Sequence, residues 1–335
     1  MIKEAIIKLA EGKNLTREES SLTADTIMRG EATPSQIGAL LMALRLKGET
    51  IDEITGFAEQ MRAHSVHISP TTKDLVDTCG TGGDVSHTFN ISTVAAVVAS
   101  GAGVPIAKHG NRSVSSKCGS ADLLEAFGVK IDLPPEKVQD SIDKIGFGFM
   151  FAPNFHPAMK YAGPTRREIG VRTIFNILGP LTNPAGAKRQ ILGVFSEKLT
   201  ETLAKVLLNL GAEHALVVHG MDGLDEISIS DKTKVSELKD GKIKNYFIKP
   251  EDFGIKRAAK ANIRVQNVEE SKVAALDILE QHHGSPKMDV VLLNAGAAIY
   301  VGGLAKDIKS GIKLAKEAVM SGVALRKLGE IKNVH

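Results

Sequence analysis

The chain has 335 residues, 43% hydrophobic and 24% charged, with 32 glycines and only 4% aromatics, a composition that excludes a disordered or fibrous protein. Its 42 basic and 39 acidic residues leave a net charge of +3, too small for a nucleic-acid footprint, although local basic pockets stay open. This length exceeds one ordinary core and suits one large domain plus a smaller one.

Cys79 and Cys118 are the only cysteines and lack C-x-x-C spacing, so neither a disulfide framework nor a thiolate metal site is signalled; a reducing cytoplasm fits. Met1 to Asn14 alternates charged and apolar residues without the long apolar core of a signal peptide. The most apolar run, Val94 to Ala107, is interrupted by Gly and Ser and is short of a membrane span, so a soluble protein is expected.

Residues 1–70 read as a helical domain. Thr33-Pro34-Ser35-Gln36 and Thr50-Ile51-Asp52-Glu53 each place a hydroxyl three residues before Gln or Glu, the pattern of a capping box, and Gly30 and Gly48 end the preceding helices. Ile37, Leu40, Leu41 and Leu44 recur at helical spacing. With Met42, these leucines suit either a subunit interface or an intrachain core.

Residues 71–335 read as an α/β domain. Short apolar runs predict strands near 74–78, 104–108, 190–195, 214–219 and 288–293, alternating with helices near 92–101, 119–127, 197–210 and 267–281, the rhythm of βαβ units in a mostly parallel sheet flanked by helices. Asp240-Gly241 inside Lys234 to Phe247 predicts a hairpin. The Pro-, Gly- and Arg-rich stretch Phe149 to Pro184 breaks the rhythm; Thr165 suggests a helix cap within it, and the part near 160–185 is expected to pack on the helical domain.

Four constellations carry chemistry. In the first, Gly80-Thr81-Gly82-Gly83-Asp84 leads to Asn90, Ser92 and Thr93 at a helix start, where backbone N–H groups and the helix dipole suit a phosphate. Asp84 would repel a bare phosphate, which points to a sugar phosphate carrying Mg²⁺. In the second, Lys108 to Asp122 follows the next strand and again opens a helix, so two cradles at strand ends would face one crevice and hold two separated phosphate groups. The third is Asp225-Glu226, an adjacent carboxylate pair suited to Mg²⁺. In the fourth, Arg166-Arg167 beside Glu168, a planar guanidinium is placed to clamp an acidic acceptor. No H-x-x-x-H or H-E-x-x-H pattern signals zinc and no G-x-S-x-G elbow signals a serine nucleophile, while Cys79 has no identifiable base.

Taken together, Gly80 to Asp84, Asn90-Ile91-Ser92-Thr93, Lys108 to Arg112 with Ser115-Ser116 and Gly119 to Asp122, and Asp225-Glu226 resemble the anthranilate phosphoribosyltransferase family. The likeness runs essentially end to end, including Gly179-Pro180-Leu181 with Asn183-Pro184 and the Asn294-Ala295-Gly296-Ala297 stretch; Val85-Ser86-His87 is its one loose segment, and His87 receives no role. The resemblance implies a nucleoside phosphorylase/phosphoribosyltransferase-like fold and transfer of phosphoribose from phosphoribosyl pyrophosphate (PRPP) to anthranilate. It further implies two Mg²⁺ ions per subunit and a cytoplasmic homodimer joined through the helical domain, without nucleic-acid or membrane partners.

Carried over residue by residue, the resemblance gives PRPP to Gly80, Gly83, Asp84, Thr88, Asn90, Ile91, Ser92, Thr93, Lys108, His109, Gly110, Asn111, Arg112, Ser113, Val114, Ser115, Ser116 and Ser120. It gives anthranilate to Gly80, His109, Asn111 and Arg166, and metal to Ser92, Asp225 and Glu226, with no acid, base or nucleophile assigned. Pyrimidine nucleoside phosphorylases resemble the same organisation, but their expected Lys/Ser phosphate motif finds no match. A nucleic-acid-binding relative lacking transferase activity is opposed by the near-neutral charge and by Asn111, Arg166, Asp225 and Glu226.

Overall fold

The computed structural model describes residues 1–84, 86–113, 117–281 and 284–334. Four helices open the chain: α1 (Ile2–Ala10), α2 (Arg17–Met28), α3 (Pro34–Lys47) and α4 (Ile51–Ala63). The Thr33 and Thr50 hydroxyls accept from the Gln36 and Glu53 N–H groups at 3.3 and 3.2 Å, completing both expected capping boxes. Thr16 caps α2 in the same way. Leu40, Leu41 and Leu44 are fully buried within the chain's own core, so they do not form a subunit interface. Glu53 ties the lobe together from a buried position. One carboxylate oxygen accepts from the Leu15 N–H at 2.9 Å; the other accepts from the Thr50 N–H at 2.8 Å and from the Lys47 ammonium at 2.9 Å.

The α/β part begins with β1 (Val76–Asp77), α5 (Ile91–Gly101), β2 (Ile106–Gly110), α6 (Ser120–Ala126), α7 (Pro135–Ile145) and β3 (Phe147–Phe151). The irregular stretch follows as α8 (Ala152–Phe155), α9 (Met159–Ile169) and α10 (Phe175–Leu178). Next come β4 (Arg189–Gly193), α11 (Leu199–Asn209), β5 (His214–Gly220) and the hairpin β6 (Thr233–Lys239) with β7 (Lys242–Ile248). Helices α12 (Val268–Leu279), α13 (Pro286–Val301), α14 (Ile308–Met320) and α15 (Val323–Val334) complete the described chain. The seven-stranded sheet has the order β3-β2-β1-β4-β5-β6-β7, parallel from β3 through β5 and antiparallel across the hairpin. Asp240 and Gly241 turn that hairpin with φ of +49° and +73°.

Strand periodicity sorts the core. Leu216 and Val218 of β5 join the cluster under α5, α6 and α12–α15, whereas Ala215 and Val217 join α11 and the opening helices on the opposite face. Ala162 of α9 and Phe175 and Leu178 of α10 lie in that second cluster, and α9 packs on α2 and α3. The Arg62 guanidinium adds polar stitching, donating to the Leu181 and Leu210 carbonyls at 2.7 and 3.2 Å.

Three local expectations are corrected. Residues 288–293 are not a strand but part of α13, which Ser285 caps by accepting from the Met288 N–H at 3.2 Å, with Pro286 at its first turn. A short apolar run carries no period that separates a buried helix from a buried strand. Thr165 lies inside α9, not at its start. The head of the irregular stretch contributes to β3, a buried edge strand in which Phe147, Phe149 and Phe151 alternate with Gly148 and Met150, a short period-2 pattern absent from the predicted strands.

Replacing Glu53 with Ala removes the counter-charge of the Lys47 ammonium, which keeps only the Asn14 and Gly48 oxygens, and strands two backbone donors, a loss of about 3 kcal/mol. Urea unfolding of the variant against the parent chain measures it, and unchanged stability would remove Glu53 from its central place in the lobe.

Candidate active site

Strand β1 lies between β2 and β4, so chain order reverses there and the loops leaving the carboxyl ends of β1, β2, β4 and β5 share one edge of the sheet. The first loop is built on Thr81. Its N–H donates to the Gly193 carbonyl at 2.8 Å and its hydroxyl oxygen accepts from the Phe195 N–H at 3.2 Å, fastening the loop to the end of β4. Gly82 and Gly83 then adopt φ of +64° and +78°, which side-chain-bearing residues rarely take. The Arg172 guanidinium donates to the Gly83 carbonyl.

Asp84 follows, with Oδ1 accepting from the Ser86 N–H at 3.2 Å and Oδ2 buried without a protein partner among the described residues. Thr88 pairs with Arg264 in an isolated bridge that steadies the approach to α5. Asn90 caps α5, its Oδ1 accepting from the Thr93 N–H at 3.0 Å while its Nδ2 donates to the Cys118 carbonyl at 3.1 Å and so joins the two cradles. The Ile91 side chain is buried in the core, which leaves only its backbone for a ligand. The buried Thr93 hydroxyl has no partner among the described residues.

On β2, the Lys108 ammonium is fully buried and donates to the carbonyl and hydroxyl of Thr78 at 3.0 and 2.9 Å, with the Ser92 hydroxyl at 3.4 Å. Burial pushes its pKa down, opposed by the acids around it. Beneath it Asp77 accepts from the His109 N–H at 3.1 Å and from Asn183 Nδ2 at 2.7 Å; burial raises its pKa to about 6 against the pull of Lys108. His109 Nδ1 lies 3.1 Å from the Gly179 carbonyl, which assigns the proton to Nδ1 and leaves Nε2 as a buried acceptor with no partner among the described residues. Burial, reinforced by the His156 ring 5.0 Å away, lowers its pKa to about 3 and keeps it neutral.

Beyond β2 the residues are less converged. Asn111 is exposed and accepts from the Arg112 N–H at 2.8 Å. The Arg112 guanidinium is occupied by Asp122 and Glu125 of α6. Ser113 N–H donates to Asp122 at 2.9 Å, and Ser120 opens α6 with its Cβ against Gly110. Val114, Ser115 and Ser116 lie outside the described residues.

The acid pair hangs from the end of β5. Gly193 has no space for a Cβ because the Asp225 carbonyl occupies it, and Gly80 lies against the Asp225 carboxylate. Asn294 of α13 fixes the next peptide, accepting from the Ile227 N–H and donating to the Ile227 carbonyl, both at 3.0 Å. Each acid leaves part of its surface to the crevice while packing strips water from its carboxylate. Burial, then repulsion from Asp84, raises Asp225 to about 7; burial and Asp225 push Glu226 well up, with Lys108 opposing. These unbalanced oxygens, with the orphaned Asp84 Oδ2, fit a hard cation. Among the described residues no three His, Cys, Asp or Glu groups converge as a metal site.

Arg166 on α9 lies 5.0 Å over the Phe175 ring; burial lowers its pKa, and no carboxylate pairs with it among the described residues. Arg172, Asp77, His156 and Asn294 were missed as site residues. Asn294 opens a flagged motif that directly follows the run 288–293 read as strand, and the others belong to no local pattern. Burial beside Asp77 pushes the Cys79 thiol up, which keeps it inert.

Residues 72–325 match the description "Glycosyl transferase family, a/b domain" and residues 3–65 match "Glycosyl transferase family, helical bundle domain". The anthranilate phosphoribosyltransferase of Acetivibrio thermocellus is 54% identical over 98% of this chain and 95% of its own length; that of Persephonella marina is 54% identical over 99% and 98%. The crystal structure of anthranilate phosphoribosyltransferase from Thermus thermophilus superimposes with a TM-score of 0.93 at 43% identity, covering 98% of both chains. The Saccharomyces cerevisiae enzyme in complex with PRPP and Mg superimposes with a TM-score of 0.92 at 27% identity, covering 99% of this chain and 97% of that one.

In the cation-free protein, Asp225 moves from 3.8 in the unfolded chain to about 7 in the folded one, so between these values the native state keeps a proton that the unfolded chain has released. Its contribution is therefore fully present at low pH and declines as pH rises through that window. Asp225→Asn reduces the decline in melting temperature between about pH 4.5 and 7.5 in EDTA. A slope as steep as the parent's would show that Asp225 ionises normally.

Proposed function

This chain belongs to the anthranilate phosphoribosyltransferase family of glycosyl transferases, and on that premise we propose that its crevice transfers the 5-phosphoribosyl group of PRPP to the amine of anthranilate. The products are N-(5-phosphoribosyl)anthranilate and pyrophosphate, the second step of tryptophan synthesis from chorismate. One observation carries the reading: two anion cradles at one sheet edge face a carboxylate pair whose charge Lys108 offsets only in part.

The Gly80–Asp84 loop and the α5 start, with Thr88, Asn90, Ser92 and Thr93, hold PRPP from one side; Lys108 to Ser113 and Ser120 hold it from the other. Ser92, Asp225 and Glu226 place Mg²⁺, two ions per subunit. Bound Mg²⁺ offsets the charge that gathers on departing pyrophosphate. The buried Lys108 adds a fixed positive potential beneath the same edge. Arg166 receives the anthranilate carboxylate, since its guanidinium has no acidic partner among the described residues. Neutral His109 offers Nε2 as an acceptor for the arylamine N–H, beside Asn111 and Gly80.

Catalysis is then mainly positioning. As pyrophosphate leaves, positive charge develops on the ribose and the amine attacks in line, so the protein holds both partners and stabilises the leaving group. An arylamine is unprotonated near neutral pH, so no strong base and no covalent intermediate are needed. Two chains pair through the helical lobe, where Ile7 on α1 and Leu46 on α3 are exposed, 59% and 81%. No described helix is long and apolar enough to cross a membrane.

Loss of anthranilate fluorescence that requires protein, PRPP and Mg²⁺ together tests the reaction; no loss with an intact fold would reject it. Asp225→Asn combined with Glu226→Gln lowers Mg²⁺-dependent turnover about 100-fold. Unchanged activity at limiting Mg²⁺ would remove the metal role. Arg166→Ala raises the anthranilate KM about 10- to 100-fold and the PRPP KM much less. Equal rises would show that the arginine does not clamp the carboxylate.

A further inference from the structure

Arg172 lies outside every motif in the chain, on the short connection between α9 and α10. Its guanidinium carbon sits 4.4 Å above the Phe195 ring centroid and it donates to the Gly83 carbonyl. No carboxylate pairs with it among the described residues, unusual for a half-buried arginine. Gly83 accommodates it twice over: the backbone there is left-handed, and a Cβ would stand 3.3–3.5 Å from the guanidinium. Phe195 also donates its N–H to Thr81, so both fastenings of the glycine loop meet on one short segment after β4.

The chain has no cis peptide among its described residues, and in a trans peptide the carbonyl and the following N–H leave opposite edges of one plane. Holding the Gly83 carbonyl therefore fixes the direction of the Asp84 N–H. No described protein acceptor takes that N–H or the Gly83 N–H, and they stand as adjacent free donors in the loop. Drawing on the carbonyl also polarises the peptide, which strengthens its N–H as an anion donor.

We propose that Arg172 is a positioning residue for the pyrophosphate part of the donor substrate: it sets the Gly83–Asp84 peptide so that its N–H serves the anion cradle. Because Arg172 is carried between α9, which bears Arg166, and α10, which packs on α4, it also links the acceptor side of the crevice to the donor side. This rests on the proposed reading of the crevice as a PRPP site.

Calorimetric titration of inorganic pyrophosphate with Mg²⁺ into the whole protein tests it, using Arg172→Met, which keeps packing over Phe195 but loses the donor. Binding weakens about 10- to 100-fold while the anthranilate KM changes less than about 3-fold. Phe195→Leu, which removes the shelf and leaves the charge, shifts pyrophosphate binding in the same direction by a smaller factor. In the ligand-free Arg172→Met protein, amide exchange rises across residues 80–90 and stays constant across 106–113. Pyrophosphate binding equal to the parent's, equal losses for both substrates, or unchanged exchange at 80–90 would overturn the inference. If the parent chain binds no pyrophosphate, the reading of the crevice falls and this inference with it, whereas parent binding matched by Arg172→Met overturns the inference alone.

Discussion

Asp84, Asp225 and Glu226 repel one another in a poorly hydrated crevice, and much of the surrounding structure holds them there. Like charges that have lost water cost several kcal/mol unless a cation or hydrogen bonds compensate them. The ligand-free chain compensates them only in part, through the N–H of Gly82 beside Asp225, the start of α5 beside Glu226, and Lys108. Gly193 beneath Asp225, Asn294 bonded to both backbone groups of Ile227 and Thr81 pinned to β4 hold the acids in place against that repulsion. The unspent repulsion is what the proposed Mg²⁺ and phosphate oxygens would relieve.

The same logic explains why Lys108 is inside the protein. Its hydrogen bonds to Thr78 and its proximity to Asp77 and Glu226 keep a cation in place at a depth that would otherwise expel it. A flexible surface lysine would lose entropy each time it met a phosphate; this one is fixed before substrate arrives. Positive charge under the sheet edge and negative charge on the loop above it are the complement that the proposed polyanion with its cation requires.

The helical lobe is not a separate bead on this arrangement. Its core is continuous with one face of the sheet through Leu192, Val194, Ala215 and Val217, and α9 and α10 lie within that shared core. Arg166 and Arg172 ride on this connection, which gives the two arginines one mechanical origin. The neutral His109 and His156 pair belongs to the same region, where the Gly179 carbonyl selects the tautomer.

Local chemistry was enough to place the capping boxes of α3 and α4, the Asp240-Gly241 turn, the glycine loop and the acid pair, because each depends on residues adjacent in the chain. Periodicity also separated a helical lobe from an α/β lobe. It failed at 288–293, where a helix buried on all sides has no polar face to reveal its period, and the five-residue alternation of Phe147, Phe149 and Phe151, with no polar residue between them, was too short to mark a strand before Pro153. It left Leu40, Leu41 and Leu44 open between core and interface, since a stripe reports that a face is covered and not what covers it. Composition and motif order by themselves determined a two-part α/β protein, a glycine-rich loop and an acid pair as its candidate site, and a likeness to a phosphoribosyltransferase family. Only the tertiary structure decided that Asp77 lies under Lys108, that Asn294 holds the acid loop and that Arg172 reaches Gly83. Those contacts span 31, 67 and 89 positions in sequence, and nothing in a linear pattern encodes which distant groups the sheet order brings together.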